Sequence, residues 1–527
     1  MTTTTGDPAG SAGRAAGTRP DPARPADGSV TAARAAGGSA GTAAGPAGGS
    51  VPSYRMVIGG AEVEAAGGGW LESVDPATEE VIGRVPAGGA PDIDAAVAAA
   101  TAAAAEWAEL GWERRAALLD RLATAITDRA DELARLDVLD SGNPIAGMRP
   151  DVTGAVREIR YFAGLAGETK GVTIPSTSDT LAFTVREPYG VAGRIVPFNH
   201  PFKFAAGKVA APLAAGNAVV LKPGEQTSLS ALTLGRLAAD VLPPGVLNVV
   251  TGTGADAGAA LAAHPGVPRI AFTGSVPTGQ AVLAAAAAGI KHVSLELGGK
   301  NPIIVFPDVD PVRAARAAVA GMNLARCNGQ SCGSTSRLFV HEEIRAPFLA
   351  ALLARLAELR VGPPLDPATD IGPLAFGAHY QRVLAFIDGA RADGATVEFG
   401  GGRPSGVDRG FYVEPTLLSV TDGMTVAREE VFGPVMSVLR WRDVDDVIAR
   451  ANSVPFGLTA NVWTSDLSTA HRVARAVQAG YVYVNGTGRK PAGTPFGGWK
   501  ASGLGKEGSL DELLSYTREK TVAVTLW

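Results

Sequence analysis

Cysteine is almost absent from this chain, with Cys327 and Cys332 the two among 527 residues. So few thiols cannot staple a protein of this size, and they suit a reducing, cytoplasmic setting. Histidine is scarce as well, and the six histidines fall at no zinc-ligand spacing with each other or with the cysteines, which leaves metal catalysis without support. No apolar run approaches the roughly 18 residues of a spanning helix, so no membrane is expected as a partner. An excess of one charge is missing too. Against 47 Lys+Arg stand 52 Asp+Glu, which gives no electrostatic footprint for nucleic acid. A small molecule is the expected partner.

Before Tyr54 there is no Leu, Ile, Phe, Trp or Tyr. Such a segment cannot bury enough apolar surface to offset its ordering entropy, so residues 1–53 are predicted to be a disordered Ala/Gly/Pro-rich tail. A secretory signal is not expected, because an apolar stretch of about 7 to 15 residues is missing. Asp7, Asp21 and Asp27, together with the Gly and Pro residues, argue against a transit peptide.

What is present is ample for two to four domains of roughly 100 to 200 residues each. Trp107 to Leu136 is Ala-rich, with Leu119, Leu122 and Ile126 at helical spacing, and predicts a core-packing helical pair ended by Asp140-Ser141-Gly142-Asn143-Pro144. Beyond Pro188, short apolar runs (Arg194–Phe198, Ala218–Leu221, Val246–Val250, Arg269–Phe272 and His292–Leu297) alternate with Ala/Leu-rich stretches of helical length. That rhythm predicts βαβ units, hence an α/β protein with a parallel sheet covered by helices. Ligands in such sheets bind beyond the carboxyl ends of the strands.

Polar or Gly-rich residues follow every run. Gly252-Thr-Gly254-Ala-Asp-Ala257 fits a loose dinucleotide fingerprint but lacks the acidic residue about 20 positions on. Thr273, Gly274 and Ser275 form a turn in which backbone can approach a pyrophosphate while the Ser hydroxyl and a helix N-terminus donate; the alternative is an ordinary N-cap serine. Lys222 and Glu225 can grip the two hydroxyls of an adenosine ribose or form a surface ion pair. In the first case a carboxylate at the 2′-hydroxyl repels a 2′-phosphate, and NAD is preferred over NADP, with NADP the weaker cofactor.

Cys332, in Asn328-Gly-Gln-Ser-Cys332-Gly333, is the candidate nucleophile, and Glu296, at a strand end in an apolar setting, the candidate base. The alternatives are a buried small hydrophobe and a solvated carboxylate. Cys327 keeps the structural reading.

Seven motifs occur in order: Asn199 in Pro197-Phe-Asn-His-Pro201, the Lys222/Glu225 element, Phe272-Thr-Gly-Ser275, Leu295-Glu-Leu-Gly-Gly-Lys300, Gly329-Gln-Ser-Cys332, Glu430-Val-Phe-Gly-Pro434, and Pro495-Phe-Gly-Gly-Trp-Lys-Ala-Ser-Gly503. From about Tyr54 onward the chain resembles the aldehyde dehydrogenase superfamily. The resemblance implies NAD(P)-dependent oxidation of an aldehyde to a carboxylate through a thiohemiacetal and a thioester on Cys332. It implies an oxyanion hole from the Asn199 side chain and the Cys332 backbone N–H, and a water-activating role for Glu296. Leu297 falls at the cofactor site, Glu430 at the nicotinamide ribose, Phe432 near the ring, and Lys208 and Glu507 on a proton-release path. It also implies a cofactor domain over 54–298, a catalytic domain over 299–505, and an oligomerisation element from 168–187 and 506–527 that makes a homodimer or homotetramer. Phe198, His200 and the Gly486–Lys490 loop depart from the commonest family patterns, and Arg489 and Lys490 either offer charge for a carboxylated or phenolic aldehyde or belong to a solvated loop. Two rival readings are a CoA-acylating enzyme, which would not need Glu296, and a non-catalytic protein of the same fold, which would not need Cys332, Glu296 and Asn199 together.

Overall fold

The computed structural model describes residues 51–488 and 490–526, so the predicted tail, apart from its last three residues, and Arg489 lie outside the described residues. Residues from Val51 onward form one compact unit. Its largest sheet has eight strands in the spatial order Ala61–Val63, Met56–Ile58, Leu247–Val249, Ala218–Lys222, Val191–Ile195, Arg269–Thr273, His292–Glu296 and Gly503–Leu504. The five strands from Leu247–Val249 to His292–Glu296 are parallel. All five apolar runs of the sequence are therefore strands, each displaced by no more than a few residues. Their alternation with helices lets both faces bury Val and Leu, as a doubly covered parallel sheet requires.

Along the chain the order runs outward from Val191–Ile195 in one direction and then, from Arg269, in the other. The reversal lies between Val191–Ile195 and Arg269–Thr273, where the following connections diverge and leave a crevice beyond the strand ends. The Gly503–Leu504 strand comes from within the second expected domain yet pairs with Leu295 and Glu296, so the 54–298 and 299–505 segments interlock.

A second sheet of seven strands runs in the order Thr396–Phe399, Thr416–Ser419, Val435–Trp441, Arg337–His341, Pro302–Val305, Thr459–Trp463 and Tyr481–Val484. A third, antiparallel sheet joins Thr517–Thr525, Thr180–Pro188 and Thr173–Ile174, with Val522 opposite Phe183.

The region read as a helical pair spans the end of Ala90–Glu109, which lies along the first sheet, and the helices Trp112–Asp128 and Ala130–Ser141, which pack on Ile145–Leu165 as a layer. Gly111, with φ +78°, separates the first two, a break that apolar periodicity cannot reveal. Trp107, Leu119, Leu122, Ile126, Leu133 and Phe162 pack this layer into the core. Gly142 caps the third helix in the left-handed conformation, where a Cβ would meet Pro373 at 2.7 Å.

Candidate active site

Asn199 leads into the helix Pro201–Gly207 at the end of a central strand. Its carboxamide is buried, and Nδ2 donates to the Gln330 carbonyl at 2.7 Å. One amide N–H is spoken for and the second is left for an incoming oxygen. The backbone carbonyl of Asn199 accepts from Asn143 Nδ2 at 2.9 Å, so the turn is held from both sides.

Cys332 lies on a loop whose backbone is pinned by amide side chains. Asn301 Nδ2 donates to the Cys332 carbonyl at 2.7 Å and to that of Ser334 at 2.9 Å. Asn328 Nδ2 donates to the Pro373 carbonyl at 2.8 Å, and Gln330 Oε1 accepts from Ala375 N at 3.1 Å. Gly329, with φ +76°, lies so close to Gly433 that a Cβ would be 2.5 Å from its carbonyl oxygen. Asn301, Asn328 and Gln330 were not singled out from sequence; their proximity to Gly299 and Cys332 was the available signal.

Burial pushes the Cys332 thiol up to about 12, and Glu296 and Glu430 add to the shift. Burial raises Glu296 well above the ordinary carboxylate range, with Glu507 second. One buried Glu296 oxygen, Oε1, has no hydrogen-bond partner among the described residues, an orphan that a water can satisfy. Gly497 leaves the space for it, since a Cβ there would lie 2.8 Å from Oε1.

Glu507 is buried and accepts from Arg194 Nη2 at 2.5 Å and from Lys208. Burial opposes its charge, but Arg194 and then Lys208 outweigh that and hold its carboxyl well below the usual range. Sequence reasoning paired Lys208 with Glu507 and missed Arg194, which looked like the first residue of an apolar run. His200, beside Asn199, is buried, and its Nδ1 bonds Asp151 Oδ2 at 2.5 Å; it is held in place rather than free to act as a base.

A cavity of about 910 Å³ is lined by Asn199, Thr273, Gly274, Ser275, Glu296, Leu297, Cys332, Glu430 and Phe432, among others. A second, of about 360 Å³, is lined by Lys222, Glu225, Gly254 and Gly258 and shares Phe198, Thr273, Gly274 and Ser275 with the first. Ser275 caps the helix Val276–Ala287, and Gly274 abuts the Phe272 ring so closely that a Cβ would lie 2.4 Å from it. Gly298 is required for a similar reason, a Cβ there lying 2.1 Å from Glu430 Oε2. Glu430 Oε1 accepts from Gly299 N at 2.9 Å, and burial raises its carboxyl to about 7. Phe432, at φ +60°, presents its ring to Phe198 and its carbonyl to His379 Nε2.

One placement differs from the sequence reading. Gly252 lines neither cavity; it packs against Gly88, whose carbonyl oxygen a Cβ would approach to 2.3 Å. Gly254 and Gly258 take the place expected of it, because the helix after the loop opens with a wide turn over Gly254–Gly258. Lys222 and Glu225 form no ion pair. Glu225 Oε2 accepts instead from Gly254 N at 2.9 Å, while Lys222, lowered to about 8 by burial, makes no hydrogen bond through its ammonium among the described residues.

A thiol, a carboxyl of raised basicity and an amide donor share one cavity with a helix N-terminus on a Gly-rich turn, the equipment of a dinucleotide-dependent enzyme with a covalent step. The family model described as the aldehyde dehydrogenase family matches residues 63–522, and the chain belongs to that family. It is 44% identical over 476 residues to a hydroxyisobutyraldehyde dehydrogenase of Mycolicibacterium austroafricanum, covering 89% of this chain and 94% of the relative. It is 42% identical over 465 residues to the aldehyde dehydrogenase tropH of Talaromyces stipitatus, covering 86% and 90%. Among solved structures, the NAD+ complex of an aldehyde dehydrogenase from Bacillus cereus superposes with a TM-score of 0.88 at 40% identity, covering 90% of this chain and 97% of that one.

Proposed function

We propose that this aldehyde dehydrogenase uses NAD to oxidise its aldehyde to the carboxylic acid through a thiohemiacetal and a thioester on Cys332. The observation that carries the reading is the opening of Asn199, Glu296 and Cys332 onto one cavity, with the Thr273–Ser275 turn in the same wall. The residues fit the dinucleotide: Gly274 and Ser275 join the two cavities, Lys222 and Glu225 stand at one end and Glu430 with Phe432 at the other. When bound, NAD supplies the hydride acceptor.

The chain's own residues do the rest. The Cys332 sulfur bonds to the aldehyde carbon as the thiol proton passes to water in the cavity, and the carbonyl oxygen gains charge that the free Asn199 N–H and the Cys332 backbone N–H stabilise. Loss of hydride from that carbon leaves the thioester. Glu296, made basic by burial, takes a proton from water, which attacks the thioester carbonyl; the C–S bond breaks and the acid departs. Lys208 and Glu507 stand near Glu296, with Arg194 holding the Glu507 carboxylate in place, and through Lys208 and Glu507 the proton passes toward solvent. The carboxyl of Glu296 in the cavity favours hydrolysis over transfer to CoA.

The first sheet serves the cofactor and the second carries the thiol. The three-stranded sheet, with Val172, Ile174, Leu181, Val524 and Leu526 exposed, is the surface for association into a dimer or tetramer. The compartment is the cytoplasm, on the two free cysteines; no helix among the described residues is long and apolar enough to cross a membrane. The test is to mix the protein with NAD and an aldehyde panel. NADH and free acid in equal amounts without CoA are expected, whereas product only in the presence of CoA would contradict hydrolysis.

A further inference from the structure

Asn199 and Cys332 act on one carbonyl but stand on different elements, and the side chains that join those elements line neither cavity. Asp151, in the helix Ile145–Leu165, is fully buried, and its two oxygens serve two loops. Oδ2 accepts from Nδ1 of His200, the residue after Asn199, at 2.5 Å. Burial lowers the His200 imidazole, so the ring is neutral near neutrality and Nδ1 carries the hydrogen given to the carboxylate. Oδ1 accepts from Arg326 Nε at 3.2 Å and from Arg326 Nη2, and Lys203 Nζ stands 3.9 Å from it. Arg326 belongs to the short helix Leu324–Cys327, which runs into the Cys332 loop. The backbones meet there as well: a Cβ on Gly147, in the first turn of the Asp151 helix, would lie 2.4 Å from the Arg326 carbonyl oxygen.

Just before this helix, Asn143 bridges the same two loops with neutral bonds. Its Nδ2 donates to the Asn199 carbonyl at 2.9 Å, and its Oδ1 accepts from Asn328 Nδ2 at 3.4 Å. The Asn199 Nδ2 bond to the Gln330 carbonyl, at 2.7 Å, closes the ring. Of these links the one through Asp151 is charged. A desolvated carboxylate is costly unless its oxygens are matched, so neither loop can draw back without leaving that charge short of a partner. The two loops are therefore held in one register. We propose that Asp151 is a positioning residue of the reaction: through His200 and Arg326 it sets where the free Asn199 N–H stands relative to the Cys332 sulfur, so that the oxyanion hole is in place when the C–S bond forms. This rests on the assignment of Cys332 as nucleophile and Asn199 as oxyanion donor.

The test is a double-mutant cycle on the full-length enzyme, reading the rate of the NADH burst on rapid mixing with NAD and an aldehyde. Asp151→Asn keeps the shape of the side chain and removes its charge. It is expected to slow the burst by about tenfold to a hundredfold, the range of a hydrogen bond to a charged group, with KM within about threefold and NAD binding by fluorescence titration retained. In an Asn199→Ala background the same change costs less than about twofold, because the amide it positions is gone. A residue that only supports the fold costs the same factor in both backgrounds. His200→Phe keeps a ring against Phe204 and removes the donor, and slows the burst as Asp151→Asn does. His200→Asn, whose Nδ2 can take the place of Nδ1, recovers the rate to within about threefold. If Asp151→Asn does not fold, the two His200 variants carried through the same cycle decide. Equal losses in the two backgrounds, a burst unaltered by Asp151→Asn, or equal rates for His200→Phe and His200→Asn would overturn the proposal alone. An Asn199→Ala enzyme as fast as the unmodified one would overturn the oxyanion assignment and this proposal with it.

Discussion

In the free protein Cys332 is held as a neutral thiol by its own surroundings, since burial raises it to about 12. Its proton therefore has to leave to water as the C–S bond forms, with the oxyanion hole stabilising the product, because little thiolate is present near neutrality. Cys332→Ser is expected to lower kcat by about a thousandfold or more, while NAD binding followed by fluorescence titration is retained. Cys327 is fully buried and lines neither cavity, so Cys327→Ser keeps most activity; the reverse pattern would exchange the two assignments. Glu225 carries a second residue-scale prediction. Its carboxylate is anchored on Gly254 N, which fixes negative charge at the cavity mouth. Glu225→Ser is expected to raise the NADP/NAD ratio of kcat/KM by about tenfold, a fraction of the roughly 4 kcal/mol between unit charges at 4 Å. An unchanged ratio would remove Glu225 from the ribose site.

The elements that carry the site rest on two buried carboxyls of the helix Ala130–Ser141. Asp137 Oδ2 accepts from Phe202 N at 3.0 Å, at the start of the helix that follows Asn199. Asp140 accepts from Leu229 N at 3.0 Å and from Ser73 Oγ. Burial raises Asp137 to about 8 and Asp140 to about 7. Carboxyls whose folded values exceed the unfolded value stabilise fully below the unfolded value, near 3.8, and that stability is lost as pH rises through the folded values. Tm is therefore expected to fall between about pH 4 and pH 8, and Asp137→Asn, which can still accept from Phe202 N, to flatten that fall. A pH slope unaltered in the variant would show Asp137 ionised throughout. Neither carboxyl was legible beforehand, because in sequence they read as the polar end of a helix. The strands were legible for the opposite reason: both faces of the parallel sheet are covered, so each strand stands out as a continuous apolar run. Of the site, residues at or just beyond strand ends could be found by their place in the βαβ rhythm, as with Asn199, Lys222, Thr273 and Glu296. Arg194 could not, since a buried arginine inside a strand is recognisable only once Glu507, 313 positions away, lies beside it. Gly252 was misplaced because its motif describes a loop and not which face the loop turns to the cavity.

For the whole molecule, the strand Thr517–Thr525 is an edge of the three-stranded sheet and exposes Val524, with Leu526 exposed just beyond its end. An apolar edge of this kind calls for a covering partner. Val524→Glu is expected to shift the sedimenting species toward the monomer, and an unaltered sedimentation coefficient would place the association surface elsewhere. The account as a whole turns on Glu296 acting after hydride has left. Glu296→Gln keeps the shape of the side chain and removes the base, so acylation should proceed while hydrolysis stalls. Rapid mixing of Glu296→Gln with NAD and an aldehyde is the most direct measurement: the account predicts a burst of NADH approaching one per active site followed by slow turnover, and equal slowing of burst and steady state would contradict it.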